Sequence, residues 1–256
     1  RFHAMGPIET SVKTAGYAAR DDLAPALDTA WSRLGRPGTW WSGADRIAMA
    51  REARHAKSCA FCAECKKSLS PYAPKGQHSA LTNLPPAAID VIHRVVTDPS
   101  RLSETWFRRV LDAGLSEGEY AEIIGTVAIV AGIDRFMAAL SVPVPELPSS
   151  ILGEPPRVEP AHAKKSFAWL RTVSTRDATG LLRRAWFGDG DPGFVPRVRQ
   201  ALSIAPDTLE SLIIMSEAMY IPSKYLGHPT WSRPPLTRRE CELVATRSAA
   251  LNDCFY

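Results

Sequence analysis

The segment from Ser116 to Leu140 constrains the fold more than any other part of the chain. Ser116 and Glu119 have the spacing of a capping box, in which each side chain satisfies a free amide at a helix start. Behind this box, apolar residues recur at helical spacing and cover a broad face: Ile123, Ile124, Val127, Val130, Ile133, Met137 and Leu140. A face this wide is typical of a buried helix, which needs other elements around it.

The other periodic segments also favour helices. Pro85-Pro86 suits the first turn of one helix, and Thr237 and Glu240 repeat the capping-box spacing near the end of the chain. No segment shows the sustained period-two alternation that is typical of strands. The predicted fold class is therefore all-α. The predicted helical segments are 23–34, 45–67, 86–96, 101–115, 116–140, 162–175, 194–202, 206–226 and 236–256.

Proline residues divide the chain into two helical halves. We predict a first module at 21–148, a proline-rich linker at 149–160 and the N-terminal part of a second module at 161–256. Residues 1–20 are predicted to be an N-terminal extension that begins with a tag remnant, Arg1 to Ala4. Both halves contain a Trp–Ser pair before a helix that leads into Cys-x-aromatic, which favours a tandem repeat.

The composition excludes several classes of protein. Hydrophobic residues make up 45% of the chain and charged residues 23%, which is enough apolar surface for a packed core and excludes wholesale disorder. The net charge of +4 is too small and too scattered for a nucleic-acid-binding surface. The longest apolar stretch, Ile123 to Ile133, is well short of the ~20 residues of a membrane span, and no secretory leader is visible. We therefore expect a cytoplasmic protein with no nucleic-acid or membrane partner.

Three of the five cysteines lie in one run of seven residues, Cys59-Ala-Phe-Cys62-Ala-Glu-Cys65. In a reducing compartment such clustering indicates redox or metal chemistry more often than a structural disulfide. If the site binds zinc, Cys59, Cys62 and Cys65 supply three thiolates, and His55 or His78 is a candidate fourth ligand. A set of inert buried thiols is the third interpretation. His93 and Trp106 lie on apolar helical faces and are expected in the core.

Three stretches of the chain resemble the alkylhydroperoxidase D and carboxymuconolactone decarboxylase superfamily, particularly its peroxidase-related members. They are the helix leading into Cys59-Ala-Phe-Cys62, residues 84–145, and residues 236–256 with Glu242 and Cys254. The motif of that family is a glutamate, a cysteine twelve residues later, and then x-x-Cys-x-x-x-His. The resemblance implies an alkylhydroperoxidase D-like helical bundle in two tandem modules, and association into a homo-oligomer.

The resemblance also implies a cysteine-dependent peroxidase that reduces organic hydroperoxides or hydrogen peroxide. A Cys-x-x-Cys pair at a helix start brings two sulfurs within disulfide reach, and the helix dipole favours the thiolate. In family members the second cysteine attacks the peroxide and the first resolves the sulfenic acid as a disulfide, which a thiol or dithiol reductant reopens. The catalytic residues carried over to this chain are Cys59, Cys62, Glu242 and Cys254. No haem or flavin motif is visible, so no cofactor or metal is expected.

Both halves depart from the family motif. Ile47 stands at the glutamate position of the first half and Lys66 at its histidine position. The second half reaches Tyr256 one residue before the second cysteine would fall, so the resemblance implies a module that continues beyond it. Two alternatives stay open. One is a carboxymuconolactone decarboxylase-type enzyme without redox cysteines, and the other is a metal-binding or scaffold protein that uses Cys59, Cys62 and Cys65.

Overall fold

The computed structural model describes residues 5–188, 194–252 and 254. These residues form eleven α-helices and one two-stranded sheet, which confirms the all-α class. The helices are α1 (Pro7–Thr14), α2 (Leu23–Arg33), α3 (Gly43–His55), α4 (Ala60–Lys67), α5 (Pro86–Thr97), α6 (Glu104–Asp112), α7 (Glu117–Ala139), α8 (Gly180–Phe187), α9 (Arg197–Ala201), α10 (Pro206–Met219) and α11 (Arg238–Leu251). The strands are β1 (Lys164–Lys165) and β2 (Arg171–Thr172).

The predicted buried helix is α7, and it lies at the centre of the fold. Its capping box is present: the Ser116 hydroxyl accepts from the Glu119 amide at 3.1 Å, and the Glu119 carboxylate accepts from the Ser116 amide at 2.8 Å. Ile123, Ile129 and Ile133 have no exposed surface. The helix packs against α2, α3, α5 and α10, so both sides of the predicted linker contribute to one hydrophobic core.

Two glycines of α7 let α10 approach closely. A β-carbon added at Gly125 would lie 2.5 Å from the Thr208 methyl group, and one at Gly132 would lie 2.9 Å from the end of Met215. Because the two glycines are seven residues apart, they lie on the same face of the helix. The backbone of α7 therefore comes close to the side chains of α10 along this face.

The predicted helix at 45–67 is wrong as a continuous element. After α3 a short 3₁₀-helix covers Ala56–Ser58, and Cys59 has an extended backbone with φ of −71° and ψ of 117°. Cys59 thus occupies the N-cap position of α4. The break makes Cys59 and Cys62 neighbours at a helix N-terminus rather than residues in the middle of a long helix.

The predicted helix at 162–175 is also wrong, since β1 and β2 form an antiparallel hairpin there. Thr172 and Val173 are buried, and the Val173 amide donates to the Ser203 hydroxyl at 2.8 Å. Packing against the segment that follows α9 therefore overrides the local helical pattern. The predicted helix at 206–226 ends early, at Met219, ahead of Pro222, which disfavours helical backbone in the residue before it.

Helix α1 packs on α2 and buries Ile8 and Val12 completely, so the predicted N-terminal extension contributes to the core. The predicted tag remnant, Arg1 to Ala4, lies outside the described residues, as does Tyr256. Among the helices that the structure describes, none is both long and apolar enough to cross a membrane.

Candidate functional site

The predicted Cys59–Cys62 pair lies at the start of α4, and both thiols are almost fully buried. Cys59 occupies the N-cap position of the helix and Cys62 lies in its first turn. At this position the free amides and the dipole of the helix favour negative charge on sulfur. The interruption between α3 and α4 therefore creates a site for a thiolate.

Two histidines complete a compact group with these thiols. His78 comes from the loop between α4 and α5, and His93 comes from α5. The Nδ1 atom of His93 lies 3.2 Å from the Cys62 sulfur, and Nδ1 of His78 lies 3.3 Å from Cys62 and 3.8 Å from Cys59. All four donor atoms lie within 4.8 Å of one another.

Glu52 of α3 orients His93. Its carboxylate accepts from His93 Nε2 at 2.8 Å, from the Thr82 hydroxyl at 2.8 Å and from the amides of Leu81 and Thr82. A carboxylate with this many donors around it is ionised, and His93 must therefore carry its proton on Nε2. The network leaves the Nδ1 lone pair of His93 directed at Cys62.

Asp90 of α5 orients His78 in the same way. It accepts from His78 Nε2 at 2.9 Å, from the Trp106 indole nitrogen at 2.6 Å and from Arg94 Nε at 2.8 Å. The Nδ1 atom of His78 therefore faces the two sulfurs. Each histidine thus has a carboxylate on its outer nitrogen and sulfur on its inner nitrogen, an arrangement that is usual around metal-binding histidines.

The two thiols differ in acidity. Burial raises the pKa of Cys59, but hydrogen bonds from Ser79, from the Cys62 amide and from His78 outweigh it and lower the pKa to about 5. Burial raises the pKa of Cys62 to about 12, and the neighbouring Cys59 adds to this effect. At neutral pH the pair therefore consists of a thiolate at Cys59 and a thiol at Cys62.

The groups around the thiols are shifted toward their charged forms. Burial opposes ionisation of Glu52 and Asp90, but the hydrogen bonds from His93 and His78 hold both carboxyl pKa values below their ordinary range. Burial lowers the pKa of His78, and Asp90 and Cys59 reverse this effect and raise it. A charged His78 donates its Nδ1 proton toward sulfur, and a neutral His78 offers a lone pair there.

A groove of about 780 Å³ runs past the outer side of this group. His78, Phe61 and Asp90 line it, together with Trp106 and Arg94. His78 therefore connects the buried sulfurs to a surface depression large enough for a small organic molecule.

Other residues considered for this site lie outside the group. Cys65 is buried, and burial raises the pKa of its thiol, but it is not one of the four clustered residues. His55 contacts the carbonyl of Ser79 at 2.7 Å rather than a sulfur. Lys66 donates to the Thr97 carbonyl at 3.0 Å, and Ile47 is part of the core.

The structure does not bring Glu242 and Cys254 into this group. Glu242 accepts from the Tyr220 hydroxyl at 2.6 Å and from Arg238 at 2.7 Å, and the bond from Tyr220 lowers the pKa of its carboxyl group. Cys254 is exposed just beyond the end of α11. Along α11 the backbone rises about 14 Å over the nine steps from Glu242 to Leu251, so the acid and the thiol are well separated.

Sequence reasoning missed Glu52, Asp90 and the role of His93. His93 is buried, as expected for a core residue, yet it contacts both Cys62 and Glu52. One available signal was an acid on the helix that leads into Cys59, and another was the pair Asp90 and His93, three residues apart on the predicted helix at 86–96. No sequence signal specified that residues 78–82 fold back onto these positions.

Comparison of the chain with family models, with curated proteins and with solved structures finds no match. The function must therefore be inferred from the residues of the site.

Proposed function

We propose that the protein is a cysteine-dependent peroxidase in which Cys59 and Cys62 cycle between a dithiol and a disulfide. The observation that carries the proposal is the line of contacts from Cys62 through His93 to Glu52, beside a second cysteine at the start of α4. A buried base held by a carboxylate, in contact with one thiol of a Cys-x-x-Cys pair, is the machinery that thiol redox chemistry requires.

The first step uses Cys59 as the nucleophile. The thiolate attacks the terminal oxygen of a hydroperoxide, a sulfur–oxygen bond forms and the oxygen–oxygen bond breaks. The departing alkoxide takes a proton from the His78 imidazolium and leaves as an alcohol, or as water when the substrate is hydrogen peroxide. Cys59 is then a sulfenic acid.

The second step closes the disulfide. His93 takes the proton of Cys62, and the new thiolate attacks the Cys59 sulfur. Hydroxide leaves, recovers that proton and becomes water, so one peroxide is reduced for each disulfide formed. An external dithiol then reduces the disulfide by exchange and restores both thiols.

These roles reverse those implied by the family resemblance, in which the second cysteine attacks the peroxide. Geometry favours the reversal because Cys59 occupies the helix start and the base contacts Cys62. The alkylhydroperoxidase D-like bundle, its two-module arrangement, the homo-oligomer and the cytoplasmic location belong to the same proposal. The carboxymuconolactone decarboxylase alternative does not use the thiols, so thiol chemistry separates the two functions.

The test is peroxide consumption by the reduced, chelator-treated chain in the presence of a dithiol, followed by intact mass. We expect turnover, a loss of two hydrogens on oxidation, and one added oxygen atom at Cys59 in the Cys62→Ser variant. Cys59→Ser should abolish consumption, and Cys65→Ser, which removes a buried thiol outside the group, should retain it. Consumption that survives Cys59→Ser would contradict the proposal.

A further inference from the structure

The four side chains at the start of α4 have the composition of a zinc site. Cys59 and Cys62 offer thiolates, and His78 and His93 offer imidazole nitrogens, which are the ligand types of Cys₂His₂ zinc centres. Three of the sulfur–nitrogen separations are 3.2, 3.3 and 3.8 Å. A tetrahedron with Zn–S bonds of about 2.3 Å and Zn–N bonds of about 2.0 Å has edges of about 3.3 to 3.8 Å, close to these three separations. All four donor atoms lie within 4.8 Å of one another, so small shifts bring them to one ion.

The carboxylates provide an independent observation that points to a metal. Glu52 and Asp90 hold the Nε2 atoms of the two histidines, at 2.8 and 2.9 Å, and so direct both Nδ1 atoms inward. Metal-ligating histidines characteristically bond a carboxylate in this way, which fixes the ring and strengthens the ligand. Two histidines, each held by its own carboxylate, thus converge on the same two sulfurs.

We infer that Cys59, Cys62, His78 and His93 bind one Zn²⁺ ion when the two cysteines are reduced. Zinc binds thiolates and imidazole lone pairs in competition with protons, so affinity falls as the pH is lowered. All four positions are filled by the protein, which leaves no coordination position for water or substrate, as in structural zinc sites. Zinc and the disulfide need the same two sulfurs and exclude each other.

Bound zinc therefore protects the thiols from oxidation, and removal of zinc releases the reactive pair. Only this regulatory step rests on the proposed peroxidase function. The metal site itself stands on the geometry of the four ligands and their two carboxylates, and it is tested without any measurement of activity.

The experiment uses the full chain, reduced and freed of metal with a chelator, and titrated with Co²⁺ as a spectroscopic substitute for Zn²⁺. We expect one equivalent to produce the intense visible bands of four-coordinate Co²⁺ together with thiolate-to-metal charge-transfer absorption. Zn²⁺ should then displace Co²⁺ and abolish both signals, because zinc binds such sites more tightly. Weak octahedral bands, or no binding, would overturn the inference.

Matched variants identify the ligands. Cys62→Ser and His93→Asn should remove the tetrahedral spectrum, while Cys65→Ser and His55→Asn, which change the nearest thiol and imidazole outside the group, should preserve it. Asp90→Asn should weaken Co²⁺ binding about 10- to 100-fold and keep the tetrahedral spectrum, because it alters only the support of His78. Circular dichroism of each variant shows whether the fold is retained. A spectrum that depends on Cys65 and survives His93→Asn would contradict the assignment.

The metal site and the peroxidase proposal fail separately. Tetrahedral Co²⁺ binding by a chain that does not consume peroxide retains the metal site and rejects the peroxidase function. Peroxide consumption by a chain that binds no metal retains the peroxidase function and rejects the metal site. If both are present, one equivalent of Zn²⁺ should suppress peroxide consumption, and unaltered consumption by the zinc-loaded chain would refute the protective role.

Discussion

Glu52 has no exposed surface, yet its carboxylate has a full set of donors from His93, Leu81 and Thr82. It therefore connects α3, the loop before α5 and α5 itself through one ionised group. The desolvation cost of such a carboxylate is offset only while these hydrogen bonds are present.

We expect Glu52→Gln to lower the free energy of unfolding by about 2 kcal/mol. The NH₂ group of the glutamine would face hydrogen-bond donors from which the Glu52 carboxylate accepts. The substitution should also slow disulfide closure, since His93 loses the charge that holds its proton on Nε2. Urea unfolding and the rate of thiol loss after peroxide addition measure the two effects. Glu64→Gln, on the exposed face of α4, is the control. Equal stability of both variants would contradict this role for Glu52.

A second buried acid is Glu122 of α7, and one of its carboxylate oxygens, Oε1, has no hydrogen-bond partner among the residues that the structure describes. Glu122 accepts from the Trp40 amide at 2.7 Å and lies 3.5 Å from Arg46, which is also fully buried. Burial raises the pKa of Glu122 to about 7, although Arg46 and the Trp40 amide act in the opposite direction. The folded state therefore holds a proton on Glu122 at pH values where the unfolded chain has lost it.

The raised pKa of Glu122 predicts how the stability of the fold depends on pH. Because the folded-state pKa is above the ordinary glutamate value of about 4.3, the contribution of Glu122 to stability is full below that pH and is lost as the pH rises through 7. Subtracting the stability profile of Glu122→Gln from that of the unmodified protein isolates this group from others that titrate nearby. The difference should decline between pH 5 and pH 8 by at most ~1.4 kcal/mol per pH unit. Glu154→Gln, in an exposed loop, should give a flat difference, and a flat difference for Glu122→Gln would refute the shift.

Some of the helices and residues that form the site could be predicted from the sequence, and others could not. The Cys-x-x-Cys spacing identified Cys59 and Cys62, and capping-box spacing located the starts of α7 and α11. The break at Cys59 was not predicted, because small and apolar residues continue at helical spacing across it. The intervening 3₁₀-helix packs against α5, a tertiary contact that the local pattern does not report. His78 is sixteen residues from Cys62 on an irregular loop, where periodicity gives no information.

The two capping boxes predicted from the sequence allow a test at the level of the helix. Ser116 caps α7, which is central, whereas Thr237 caps α11, in which no described residue is buried. Replacing an N-cap serine or threonine by alanine typically costs about 1 kcal/mol of helix stability. We expect Ser116→Ala to lower the global free energy of unfolding by that amount, since α7 cannot fray without opening the core.

Thr237→Ala, the matched change, should leave global unfolding nearly unaltered and accelerate amide hydrogen exchange within α11 alone. The measurements are urea unfolding and site-resolved hydrogen exchange on the same samples. A global loss from Thr237→Ala equal to that from Ser116→Ala would show that α11 is as firmly integrated as α7.

For the molecule as a whole, the central question is whether the two predicted modules fold independently. The hydrophobic core includes residues from both, because α10 packs against α2 and α7. The Trp40 indole nitrogen also donates to the carbonyl of Ile204 at 2.7 Å, across the predicted linker. These contacts couple the halves, so the described part of the chain should unfold as one cooperative unit.

Leu209 of α10 tests this coupling because its side chain is completely buried in the shared core. We expect Leu209→Ala to lower the free energy of unfolding by about 3 kcal/mol, from the lost burial and the cavity left behind. Cooperative coupling requires the slowest-exchanging amides of α5 and α7, in the first half, to lose the same free energy as those of α10. Leu243→Ala, on the exposed face of α11, is the matched control and should change neither. Destabilisation confined to α10 would instead show two independent modules. The stability of the Cys–His site would then not depend on the second half of the chain.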